Sequence, residues 1–260
     1  MIPLLFPGET LASFLGRPGL YRRLRYRLRL LLWRWRIGVQ EPEWHLLEWL
    51  VDPARAAVDV GANYGAYAGR LAALVPRLHC FEPFPAAAAR LIMRLPPSVV
   101  VHEAAVSDHA GEAQLTVPLH ADGTPAVAGA SVDAANLQLQ NRPVQAVTCR
   151  LVRLDDEVTE PVGFIKIDVE GYELPVLRGA TRILEQDRPI LLVESVRLLN
   201  PEAPENVFRF LGERGYGGVF LFGGRMTSIR AFDPAVHQRI RPDGGPVEPY
   251  AWNFIFLPGG

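Results

Sequence analysis

The chain is 260 residues long, 49% hydrophobic and 21% charged, which suits one full α/β core in a globular protein. A formal net charge of -1 gives no general attraction for nucleic acid, and two cysteines in strand-like segments (Cys80, Cys149) point to buried thiols rather than a disulfide scaffold. There is no uninterrupted run of about 18 apolar residues to span a membrane, and Pro3, Pro7 and Glu9 break any signal-peptide pattern, so a cytoplasmic protein is expected.

Charge is unevenly placed. Arg17, Arg22, Arg23, Arg25, Arg27, Arg29, Arg34 and Arg36 fall in a stretch with no acid between Glu9 and Glu41. Leu20, Leu24, Leu28, Leu31, Leu32 and Trp35 recur at helical spacing beside them, which predicts a basic amphipathic helix over 19–37. Such a helix fits a peripheral contact with the inner face of an anionic membrane, or a lipid-linked substrate. The plainer reading is a lid or a homodimer contact with its arginines in water. A second helix is expected at 42–51, begun by Pro42, with Trp44, Leu47 and Leu50 inward. Residues 1–52 are therefore taken as an N-terminal helical extension and 53–260 as the main domain.

Strands and helices then alternate. Strands are predicted at 56–60, 77–82, 98–103, 162–168 and 189–194, and helices at 65–75, 85–95, 173–186 and 204–214. This is the pattern of a doubly wound, mostly parallel α/β sheet. Two places depart from it. Strand-like segments at 114–118 and 144–149 suggest an antiparallel pair joined by a loop that covers the cleft. The chain ends strand, turn, strand (219–222, then Gly223-Gly224-Arg225, then 252–257), so an antiparallel terminal strand is expected.

The densest motif is Asp59-Val-Gly-Ala-Asn-Tyr-Gly-Ala-Tyr67, a strand, a glycine-permitted turn and a helix. Its acid would repel a pyrophosphate but suits a ligand with ammonium and sulfonium charge, so the turn reads as an S-adenosylmethionine (SAM) site. Asn63 and Ala66 replace the second and third glycines of a dinucleotide fingerprint, which leaves an NAD(P)-dependent oxidoreductase as the alternative of another class. Ligands in such sheets lie beyond the carboxyl ends of the strands. Those ends carry Asp59, Glu82, the 103–107 segment, Asp168 with Glu170, and Glu194, a row of acids that would attract a cation. Glu82 is placed to accept hydrogen bonds from ribose hydroxyls.

Lys166, the only lysine, shares a strand face with Phe164 and Asp168 and needs a carboxylate partner there, Asp168 or Glu194. Methyl transfer is an in-line displacement in which the protein aligns the acceptor and removes its proton. Asp168, Glu170 and Glu194 are the candidate bases; burial would have to raise the proton affinity of any of them. His102 and His109 are weaker candidates. No metal ligand set is read from the sequence, since no His/Cys cluster has zinc spacing.

These segments in this order resemble the FkbM-type family of SAM-dependent methyltransferases. The resemblance rests on Val58–Gly65, Phe81–Pro85, Ala104–Asp108 with Gly111, Leu154–Asp156, Lys166–Glu173, Gly179-Ala180, Glu194 and Asn253-Phe254, and spans roughly 56–257. It implies a class I methyltransferase, Rossmann-like, acting on a hydroxyl of a sugar, polyketide or other secondary metabolite, with N-methylation of an amide or amine as the alternative. It further implies that Asp59, Gly61, Asn63 and Gly65 hold the methionine portion of SAM and Glu82 the ribose. Ala105, Val106 and Ser107 would border the adenine, with Asp168 beside the methyl donor. The expected partner is a small-molecule acceptor and not a nucleic acid.

Overall fold

The computed structural model describes residues 41–133, 136 and 143–259. The basic helix expected over 19–37 lies outside the described residues. Pro42–Leu46 forms a 3-10 turn that runs into helix α1 (Leu47–Leu50). The strands are β1 (Ala56–Val60), β2 (Leu78–Phe81), β3 (Val99–His102), β4 (Ala105–Val106), β5 (Gly111–Pro118), β6 (Val144–Val152), β7 (Val162–Ile167), β8 (Ile190–Glu194), β9 (Tyr216–Phe222), β10 (Arg225–Ser228) and β11 (Asn253–Pro258). Between them lie α2 (Ala68–Leu71), α3 (Pro85–Arg94), α4 (Leu154–Glu157), α5 (Glu173–Arg178), α6 (Glu205–Gly212) and α7 (Pro234–His237).

The main sheet has the order β10-β9-β11-β8-β7-β1-β2-β3. From β8 to β3 neighbouring strands are parallel, and β11 is antiparallel to both β8 and β9. This is the doubly wound sheet with an antiparallel terminal strand that the sequence predicts. Strand order reverses between β1 and β7, so a cleft opens above their carboxyl ends. A smaller sheet, β4-β6-β5, contains the expected antiparallel pair β5–β6.

β1, β2 and β7 are buried along their whole length, as central strands covered on both faces must be. Side-chain alternation divides the core in two. Val58, Val60, Ile165, Ile167 and Val193 pack with Val176, Leu177, Val207 and Leu211 of α5 and α6. Ala57, Phe164, Leu192 and Ile255 pack on the other face with Leu47, Leu50, Leu71 and Leu91. Residues 42–51, assigned from sequence to the extension, thus rest on the sheet: Leu47 and Leu50 are 0% and 2% exposed. Each such burial contributes roughly 1.5–3 kcal/mol.

Three elements depart from expectation. The helix predicted at 65–75 shortens to α2, and at its start Gly65 takes φ +88°, outside the helical region, with Leu91 Cδ2 only 2.8 Å from where a Cβ would sit. The helix predicted at 173–186 breaks at Gly179, where an added Cβ would sit 2.0 Å from the carbonyl oxygen of Ser107. The chain resumes with a wide turn at Ile183–Asp187, begun by Asp155 accepting hydrogen bonds from the amides of Arg182 (2.8 Å) and Ile183 (3.1 Å). The segment after Gly224 is not a simple turn but β10, which forms a hairpin with β9.

Candidate active site

The carboxyl end of the sheet is a polar layer set directly on an apolar one. In register, Asp59 of β1 lies beside Lys166 of β7, and Lys166 beside Leu192 of β8. One step further out come Asp168, Glu194 and Asn253, the last paired across from Glu194. Period-two alternation puts Asp59, Lys166, Glu194 and Asn253 on the sheet face that carries Ala57, Phe164, Leu192 and Ile255 below. A cleft of about 570 Å³ stands above this layer, within the usual range for small-ligand sites.

The first turn is built by close backbone packing. Gly61 (φ +80°) has its missing Cβ position only 1.8 Å from the carbonyl oxygen of Asp168, so the turn can pass β7 only with glycine. Its amide and that of Ala62 donate to the carbonyl of Phe81 at 3.0 and 3.1 Å. Asn63 takes φ 49°, a left-handed conformation asparagine tolerates better than most residues, which explains why a glycine is not needed there. Glu82 braces the turn. Its carboxylate accepts hydrogen bonds from the amides of Asn63 (2.8 Å) and Phe84 (2.8 Å), one on each oxygen. A carboxylate has about four acceptor sites, so further donors such as ribose hydroxyls can still be met.

Asp59 differs from Glu82. It is 1% exposed, and neither carboxylate oxygen has a hydrogen-bond partner at close range among the described residues, although the Ala68 amide is near enough to favour the carboxylate. Burial pushes its carboxyl up to about 6 even though Lys166 pulls it down. Lys166 gives its hydrogen bond to Asp168 at 2.7 Å and lies 4.6 Å from the centre of the Tyr67 ring. Burial disfavours the ammonium, but Asp168, Asp59 and Glu41 outweigh it and hold Lys166 above the ordinary lysine value.

Oxygens of Asp168, Glu170 and Glu194 all lie within 4.8 Å of one another. Among the described residues these three form the group whose geometry could hold a cation, although the sequence reading names no metal. Burial, and then the charge of Asp168, holds both Glu170 and Glu194 well above the ordinary carboxylate range.

Nearly all sequence-predicted site residues line this one cleft: Asp59, Gly61, Asn63, Gly65, Glu82, Ala105, Val106, Asp168, Glu170 and Glu194. Ser107 does not. It is fully buried, and its hydroxyl lies 2.9 Å from that of Tyr172, which does line the cleft. The two histidines also stand elsewhere. His102 sits 3.0 Å from His79 on the outer strands and stacks on Phe81, while the side chain of His109 is 61% exposed. Sequence reasoning missed Glu41 and Tyr67. The Tyr67 hydroxyl donates to Glu41 Oε2 at 2.6 Å, and Asn253 Nδ2 donates to the same oxygen at 2.9 Å. Only the Asn253-Phe254 motif hinted that the last strand reaches the site.

The carboxyl shifts have a consequence for stability. Asp59, Glu82, Glu173 and Glu43 are raised by burial from 3.8 or 4.5 to about 6, 7, 7 and 8. The folded chain therefore binds these protons more tightly than the unfolded chain. The stability they add is complete below the unfolded values and is lost as pH rises through the folded ones. His102, lowered by burial and then by His79, works the other way but concerns one proton. The thermal midpoint of the ligand-free protein is expected to rise between about pH 8 and about pH 5.5. Calorimetry showing a flat or falling midpoint over that window would refute the assignment.

With this geometry in place, comparison with known proteins is decisive for the family. The profile of the methyltransferase FkbM domain matches residues 59–217, more than half of the chain. The chain belongs to this family. No curated protein matches the sequence. Similar solved structures include the methyltransferase FkbM from Methylobacillus flagellatus KT, at 16% identity and a TM-score of 0.49. That alignment covers 95% of this chain but only 57% of the other. A putative methyltransferase from Streptococcus mutans, in complex with SAH, aligns at 13% identity and TM-score 0.45 over 85% of this chain and 99% of its own. A family of methyltransferases supports methyl transfer and leaves the hydride-transfer alternative without support.

Proposed function

We propose that the protein is a SAM-dependent methyltransferase that methylates a hydroxyl of a sugar, polyketide or related small metabolite. The observation that carries the cofactor reading is Asp59, a buried carboxylate with two unmet oxygens facing a cleft rich in acids. Leaving such a group unpaired is costly, and an ammonium with three N–H donors meets the need. SAM, when bound, supplies a methyl carbon activated by sulfonium. On this reading Asp59, Gly61, Asn63 and Gly65 hold its methionine portion, Glu82 its ribose, and Ala105 and Val106 the adenine. Ser107 contributes from behind, through Tyr172.

The chain's own residues do three things. Lys166 fixes Asp168 at 2.7 Å at the cleft floor. Leu115, Val127 and Val132 give the cleft an apolar wall, packed with Ala105. Glu170 and Glu194, with raised proton affinity, are better bases for an acceptor proton than an exposed carboxylate of ordinary strength. That is the help from burial that a carboxylate base requires. An N–H acceptor would use the same groups, and mass spectrometry of the methylated product distinguishes the two.

Calorimetry with SAM and with its demethylated product SAH tests the cofactor reading. Asp59→Ala and Glu82→Ala are each expected to weaken binding tenfold or more, as loss of charge-assisted contacts does. Absence of binding of either compound to the wild-type protein would reject the reading.

A further inference from the structure

Glu170 is held in a backbone conformation that its own sequence neighbourhood does not explain. It takes φ 53° and is followed by Gly171 at φ 98°, so two left-handed residues occur in succession. For a residue with a long side chain this costs on the order of 1 kcal/mol or more. Compensation arrives from far along the chain. The Glu170 carbonyl accepts a hydrogen bond from the Ser131 hydroxyl at 2.8 Å and another from Asn136 Nδ2 at 2.7 Å. Both side chains belong to the excursion between β5 and β6, and both residues are 1% exposed.

The donors are themselves fixed. Ser131 exchanges backbone hydrogen bonds with Thr116 of β5 at 2.9 and 3.0 Å. Its hydroxyl oxygen accepts from the Asp133 amide at 3.0 Å, so the hydroxyl proton is left to point at Glu170. From below, Glu173 Oε1 accepts from the Gly171 amide at 2.8 Å. The turn at 170–171 is thus gripped on two sides. The upper grip is part of the wall that closes the cleft, since Val127, Ala130, Ser131 and Val132 all line it.

We propose that Ser131 and Asn136 are positioning residues, which clamp the Glu170 carbonyl and so hold its carboxyl against Asp168 and Glu194 at the acceptor end of the cleft. This rests on the methyl-transfer reading only for the role of that end; the clamp itself is a property of the fold. It makes the β5–β6 excursion a working part of the catalytic apparatus, and not only its cover.

The test uses the full chain and needs no acceptor. Amide hydrogen exchange is followed in the wild type, in the Ser131→Ala/Asn136→Ala double variant and in Ser131→Thr. In the wild type, peptides covering 127–133 and 168–173 are expected to open together. The double variant should speed exchange in 168–173 by about tenfold or more, whereas Ser131→Thr, which keeps the hydroxyl, should retain the wild-type protection. A double variant whose 168–173 peptide exchanges like the wild type overturns the proposal, and so does independent opening of the two peptides in the wild type. SAH binding to the wild type is measured alongside. Its failure would strike the methyl-transfer reading and leave the clamp to be judged by exchange.

Discussion

Lys166→Met is expected to destabilise the ligand-free protein by about 3 kcal/mol at neutral pH, the lower part of the range for breaking a buried ion pair. Lys166 is the single lysine in the chain, and its side chain is 3% exposed against 26% for its partner Asp168. The residual exposure of Asp168 is what moves the effect to the lower part of that range. Removing the ammonium leaves Asp59 and Asp168 as neighbouring carboxylates with no positive charge between them. Two further outcomes separate this account from simple loss of packing. The variant should regain stability on acidification, as Asp59, already raised by burial, takes up its proton. The double variant Lys166→Met/Asp168→Asn should be more stable than the single one. Denaturant unfolding that finds Lys166→Met as stable as wild type at neutral pH would show that the pair does not organise the site.

Gly61→Ala should have the other large effect. The new methyl group would meet the Asp168 carbonyl at 1.8 Å, and a positive φ would be forced on alanine as well. Clash and strain together are expected to cost on the order of 4 kcal/mol. For a chain of this length that corresponds to a fall in Tm of roughly 8–16 °C. Gly223→Ala is the control. That glycine has φ +55° but nothing within 4 Å of its Cβ position, so it should pay for strain alone, about 1 kcal/mol. Equal losses at the two positions would mean that close approach to β7 does not dictate the first turn.

The parallel core was legible because burial on both faces writes continuous apolar runs into β1 and β7, with an acid where each strand leaves the core. Asp59, Asp168 and Glu194 could be placed at one cleft from that pattern alone. What escaped reading depended on contacts between distant segments. The helical pattern of 173–186 is interrupted at Gly179, which passes too close to the Ser107 carbonyl for a Cβ to fit, and nothing near either residue announces their approach. Ser107 follows Ala105 and Val106, yet the β4 strand turns it away from the cleft and toward Tyr172. Glu41 marked only the end of the acid-free stretch, and the packing of Leu47 and Leu50 beneath the sheet brings it to Tyr67.

Glu41 and Asn253 are separated by 212 positions, yet they meet over the first turn of the sheet. Until the segments that carry them have both docked, this edge of the site lacks the Glu41–Asn253 hydrogen bond. A contact of such long range must first meet the loop-closure entropy of the chain between its partners. A nascent or partly unfolded chain would thus offer a bound nucleoside no complete seat, and ligand binding should resist whole-molecule unfolding more than it quiets local breathing of any one loop.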